Sequence, residues 1–197
     1  MGPIDRSRFS GASWINPLSG GRPYHVQAEA RPVGPMPLGL VGRTLMKHLL
    51  VIHHSQTGGT GKMTDAVVEG ARREESVEVR ERAALKGTLE DLLWADGVIF
   101  GTPENFGTMS GALKFFFDET YYPAQGKVRH LPYALFVKCQ NDGTGAVREV
   151  ERILRGYPMQ AIAPPLIARG DLTDEVLDDC RDLGQTMAAG LDMGLWS

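Results

Sequence analysis

Two cysteines, Cys139 and Cys180, are all that the 197 residues contain. They make no metal-ligand spacing and no disulfide framework. A reduced, cytoplasmic compartment is the simplest inference. No apolar run approaches the roughly 20 residues that cross a bilayer, so no membrane span is expected. Basic charge is not in excess either: 21 Lys and Arg stand against 24 Asp and Glu. Nucleic acid and anionic membranes are therefore poor partners. Two nucleotide signatures are missing as well. Gly61-Lys62 would suit a Walker loop, but the first glycine falls on Gln56, and Met63 replaces the hydroxyl that holds magnesium. No Gly-x-Gly-x-x-Gly opens a helix, so the dinucleotide fingerprint also fails.

Residues 1–46 lack lysine, carry five arginines against two acids, and hold half of the prolines. They show no helical or strand periodicity. Such a segment cannot build a core, and it is expected to be disordered or loosely attached. Met46 directly precedes the first apolar run, so residues 47–197 are expected to form the folded domain. Residues 47–197 hold 16 basic and 22 acidic residues, a net charge of −6.

From Lys47 onward, strand and helix patterns alternate. Strands are expected near 48–53, 77–82, 97–101, 133–138 and 161–168. Helices are expected near 61–75, 88–94, 109–118, 144–155 and 173–190, the second capped by Thr88. The runs at 97–101 and 133–138 are continuously apolar, as in strands covered on both faces. The sequence thus implies an α/β fold: a three-layer, doubly wound, five-stranded parallel sheet. Pro164-Pro165 fits such a sheet only at an edge or an end. Ligands of these sheets bind beyond the carboxyl ends of the strands. The loops at 55–60, 102–110 and 139–145 leave those ends.

The loop Ser55-Gln56-Thr57-Gly58-Gly59-Thr60 lies between strand and helix. Its hydroxyls, its glycines and the helix N-terminus suit a terminal phosphomonoester; a plain N-cap by Ser55 or Thr57 is the simpler alternative. In the second loop, Phe106 either lies along a flat ring or folds into the core, and the backbone near Asn105 and Gly107 would reach the ring's edge. The third loop, Cys139 to Gly145, offers amides and backbone donors. His53 and His54 are adjacent in a strand, point to opposite faces and make a poor metal pair; no metal site is expected. The acidic residues of the last helix read as a solvated face.

Together these loops resemble the flavodoxin-like superfamily. Within it, they resemble the NAD(P)H-dependent FMN reductases and the quinone reductases of the tryptophan-repressor-binding-protein type. Ser55 to Thr60 matches the flavodoxin phosphate loop. Gly101-Thr102-Pro103, Phe106 to Gly111, and Phe116 to Thr120 resemble the second flavin loop and its continuation. The long insertion of the quinone reductases after the third loop is absent here. The resemblance implies non-covalent FMN, with NAD(P)H as transient co-substrate and a small quinone or flavin-type acceptor. By position, Ser55, Gln56, Thr57, Gly58, Gly59 and Thr60 would hold the phosphate. Pro103, Glu104, Asn105, Phe106 and Gly107 would border the ring, and Gln140, Asn141, Asp142 and Gly143 would sit at its pyrimidine side. No side chain need act as acid or base, so no catalytic residue is expected. Tyr121-Tyr122, placed after the third helix, either cover the site or pack on the surface. A single-electron carrier and a non-catalytic module remain alternatives, and a homodimer stays open.

Overall fold

The structure is a computed structural model describing residues 46–128 and 130–196. The expectation for the N-terminal extension lies outside the described residues, apart from Met46. The first strand, β1 (Lys47–His53), is followed by α1 (Gly59–Ala71), β2 (Val77–Ala83) and α2 (Leu89–Trp94). Next come β3 (Gly97–Asn105), β4 (Thr108–Met109), α3 (Gly111–Ala124) and β5 (Pro132–Cys139). The chain continues through α4 (Thr144–Gly156), β6 (Gln160–Ala161), β7 (Leu166–Arg169) and α5 (Asp174–Asp192).

The parallel sheet runs β2-β1-β3-β5, and both β6 and β7 pair with β5. The fifth position is thus one strand interrupted around Pro164-Pro165. Proline lacks an N–H, and a broken edge strand tolerates that loss. The buried runs of β1, β3 and β5 hold the centre, whereas β2 at the edge is buried only at Val77. One core, around Phe100, Phe116, Leu135 and Leu154, packs beneath α2, α3 and α4. The other, around Val51, Met63, Phe136 and Met187, packs beneath α1 and α5. These are the three layers expected.

Several boundaries differ from the sequence reading. β3 runs four residues further and turns back on β4, because the loop at 102–108 forms a two-residue hairpin. α1 starts at Gly59, two residues early. α3 starts two residues late, behind Ser110, and runs on to Ala124, so Tyr121 and Tyr122 lie within it rather than after it. Tyr121 packs edge-on against Tyr157, whereas Tyr122 is exposed.

Thr88 caps α2 in a reciprocal box with Asp91. Asp91 also pairs with Arg80 at 3.0 Å and Arg82 at 3.3 Å, and Arg80 lies 3.8 Å over the Trp94 ring. Burial works to raise the Asp91 pKa, but hydrogen bonds from Arg80 and Thr88, with the charge of Arg82, outweigh it and lower the pKa. A depressed folded-state pKa adds stability above the ordinary carboxylate value, and that stability is lost as pH falls through the folded one. Asp91→Asn is expected to cost about 1–2 kcal/mol at neutral pH and to flatten the acid limb of the stability curve. Urea unfolding at neutral pH and near pH 3 checks this; an unchanged acid limb would rule out Asp91 as its source.

Candidate functional site

β1 and β3 are neighbours at the point where the strand order reverses, and their carboxyl ends open beneath the 55–60 loop. His54 N–H donates to Gly101 O at 3.0 Å and extends their pairing. The chain then turns at Gly58, which takes φ +92° and serves as N-cap of α1 without a side-chain cap. A left-handed residue suits glycine. This settles the alternative left open by the sequence: neither Ser55 nor Thr57 caps the helix. The first N–H groups of α1 have no intrahelical acceptor. Ser55 Oγ is buried with no partner among the described residues, and a Cβ on Gly61 would lie 3.3 Å from it. Thr60 is 2% exposed. An orphaned hydroxyl, uncapped N–H groups and glycine on the approach fit a phosphate.

A cavity of about 530 Å³ lies against this loop. Gln56, Thr57, Gly58, Gly59 and Thr60 line it, with Pro103, Glu104 and Asn105 from the second loop and Gln140 from the third. Nine of the sequence-predicted residues thus share one cavity. Lys62, Lys138, Cys139, Gly170, Asp171 and Leu172 line it as well, and the sequence reading gave none of them a ligand role. Ser55 is not among the residues lining it; its buried Oγ lies beside Gly61 in the first turn of α1.

The second loop is built as a hairpin. Glu104 pairs with Met109 and Asn105 with Thr108. Phe106 at φ 54° and Gly107 at φ 76° form its tip, and positive φ at both positions is what a type I′ turn demands. Phe106 is fully exposed, so it does not fold into the core. It faces a second, more apolar cavity of about 720 Å³, beside Met109, Phe117, Tyr121 and Tyr122. Asn105 lines both cavities. Gly107 lines neither; its carbonyl packs against α4, 1.9 Å from where a Cβ on Gly145 would be.

The third loop is tied to the second. Gly143 N–H donates to Glu104 Oε2 at 3.2 Å. Asp142 Oδ1 accepts from Thr144 N–H at 2.8 Å and from Thr144 Oγ1 at 2.6 Å. Those Thr144 bonds, the side-chain one foremost, hold the Asp142 carboxyl below its ordinary pKa. Asn141, Asp142 and Gly143 do not line the cavity; Asp142 is held by Thr144 of its own loop and Gly143 by Glu104 of the second. Cys139 is buried, and burial first, then the Glu104 charge, pushes its thiol pKa up. That suits a packing role, not a reactive thiolate. Among the described residues, no group of three or more His, Cys, Asp or Glu could hold a metal, and no helix is long and apolar enough to cross a membrane.

A family model described as NADPH-dependent FMN reductase matches residues 65–171. The chain belongs to that family, and its fold is flavodoxin-like. A flavodoxin of Aquifex aeolicus is 43% identical over 83 residues, 42% of this chain and 45% of that protein. An NAD(P)H dehydrogenase (quinone) of Acidithiobacillus ferrooxidans is 34% identical over 95 residues, 38% of this chain and 48% of that protein. The chain spans about half the length of the curated relatives it matches. Among solved structures, a flavodoxin from the domain Archaea superposes with a TM-score of 0.64 at 22% identity, over 73% of this chain and 98% of that one. That likeness is one of fold.

Proposed function

We propose that the chain binds FMN and passes electrons from NAD(P)H to a small acceptor of quinone or flavin type. The observation that carries this reading is the 55–60 cradle, with its orphaned Ser55 hydroxyl and uncapped helix, in a chain of the FMN reductase family. Ser55, Thr57 and Thr60 would give hydroxyls to the phosphate, and the N–H groups around Gly58 and Gly59 would complete its shell. Gln56 would contribute backbone. Pro103, Glu104, Asn105, Phe106 and Gly107 would border the ring. Gln140, Asn141, Asp142 and Gly143 would lie at its pyrimidine side, with Glu104 bracing Gly143. Bound flavin supplies the redox chemistry, while the protein supplies position and electrostatics. No side chain of the chain needs to move a proton in this scheme.

Thr60→Ala is expected to weaken FMN by about tenfold or more, the scale of a charge-assisted hydrogen bond, and to leave riboflavin unaffected. Equal losses for both would contradict the phosphate role of Thr60. The decisive experiment is an absorption spectrum of the protein with FMN, followed by NADPH without oxygen. Bleaching at a catalytic rate supports the enzyme. A protein that stays colourless with FMN contradicts flavin binding.

A second reading, a single-electron carrier, rests on the relative named flavodoxin. Carriers rely on acidic surfaces to meet basic partners, and −6 over residues 47–197 is modest. Bleaching by dithionite but not by NADPH would favour the carrier.

A further inference from the structure

Lys138 occupies a position where the strand pattern calls for an apolar side chain. It stands at the carboxyl end of β5, two residues beyond Phe136 on the same face, and Ala134 and Phe136 are both buried in the core there. In register it lies between Pro103 of β3 and Ala168 of β7. Its stem passes under the 55–60 loop: a Cβ on Gly59 would sit 3.3 Å from Lys138 Cγ and 3.4 Å from Cε. Nζ donates to the carbonyl oxygens of Gly170 and Cys139. Among the described residues, no carboxylate is within ion-pair distance of it.

A half-buried ammonium has lost part of its hydration, and neutral carbonyls balance none of its charge. An ammonium carries three N–H donors, so one remains after those two bonds. The side chain lines the same cavity as Gln56 to Thr60. Lys62 lines that cavity too, but it is exposed to solvent, where a charge is screened and hydrated.

We propose that Lys138 is the charge-reading residue of this cavity, the group that selects an anionic phosphomonoester over its neutral, dephosphorylated analogue. This rests on reading 55–60 as a phosphate cradle. The loop supplies shape and neutral donors, and Lys138 supplies the full positive charge. Its stem against Gly59 fixes that charge beneath the loop, so the position of the ammonium, as well as its sign, sets the preference.

The test titrates the apoprotein with FMN, riboflavin and inorganic phosphate, for the native chain, K138M, K138R and K62M. K138M is expected to weaken FMN by about tenfold or more, as for a lost charge-assisted hydrogen bond, with riboflavin affinity unchanged. K138R should recover most of the loss, K62M should have a much smaller effect, and the salt dependence of FMN binding should flatten in K138M. Unchanged FMN affinity in K138M overturns the proposal. So does an equal loss for FMN and riboflavin, which would make Lys138 a structural strut, or an equal loss in K62M, which would make the effect a general field. If the native chain binds FMN and riboflavin equally, the phosphate reading of the flavin fails, and the inorganic phosphate arm decides: phosphate binding lost in K138M upholds Lys138. Binding of neither flavin nor phosphate by the native chain overturns both.

Discussion

Alanine at Gly184 is expected to lower the melting temperature by about 6–12 °C. Gly184 lies on α5 where that helix meets α1 backbone to backbone. A Cβ there would fall 2.0 Å from Val67 O and 3.0 Å from Ala71 N. Gly70 is its counterpart on α1, with a Cβ position 1.9 Å from Arg181 O. A main-chain carbonyl cannot swing aside as a flexible side chain does, so the helices must separate. The packing of Met63, Val67, Leu183 and Met187 between them loosens with it. Overpacking of this kind costs about 3 kcal/mol at the upper end of its usual range. Gly126→Ala is the control: Gly126 has φ +73° and open space around it, so only backbone strain of about 1 kcal/mol is expected. Equal melting shifts for the two variants would show that the α1–α5 contact gives way freely.

Under the proposed activity, valine at Gly145 is expected to slow NADPH oxidation by about two orders of magnitude, on the scale of a 1 Å misplacement near the reacting centre. Gly145 lies in the first turn of α4, and a Cβ there would fall 1.9 Å from Gly107 O. The hairpin of β3 and β4 must then lift from α4, and the Glu104–Gly143 bond stretches with it. Because the hairpin tip is at the surface, the fold should survive the change. Stopped-flow reduction by NADPH, with melting curves alongside, separates the outcomes. A native rate in a folded Gly145→Val variant would mean that the hairpin's seat on α4 does not position the reactants.

Much of this molecule is legible in its sequence because the signals are local. Apolar runs of strand length, such as Val98-Ile99-Phe100, mark central strands wherever they fold, since only a doubly covered strand buries both faces. Thr88 and Asp91 are three residues apart, so their capping box is spelled out in the chain. The 55–60 loop is six consecutive residues, and glycine at Gly58 already announces the left-handed turn. Pro164-Pro165 announces the broken edge strand in the same way.

The boundaries that shifted depend on pairing. Nothing within 102–109 distinguishes a loop from a hairpin until Glu104 and Asn105 find Met109 and Thr108. Nor does an aromatic residue in isolation reveal whether it is buried or, like Phe106, fully exposed. The sequence by itself determined the alternation of strands and helices, the three layers and the position of the 55–60 loop between strand and helix, because hydrophobic period and turn chemistry act over a few residues. Only the tertiary structure decided that Lys138 lies under a loop some 80 residues earlier, that Glu104 braces Gly143, and that α1 and α5 touch through Gly70 and Gly184. Each of those contacts exists because sheet pairing and close packing bring together residues that chain order keeps apart, and no local pattern encodes that distance.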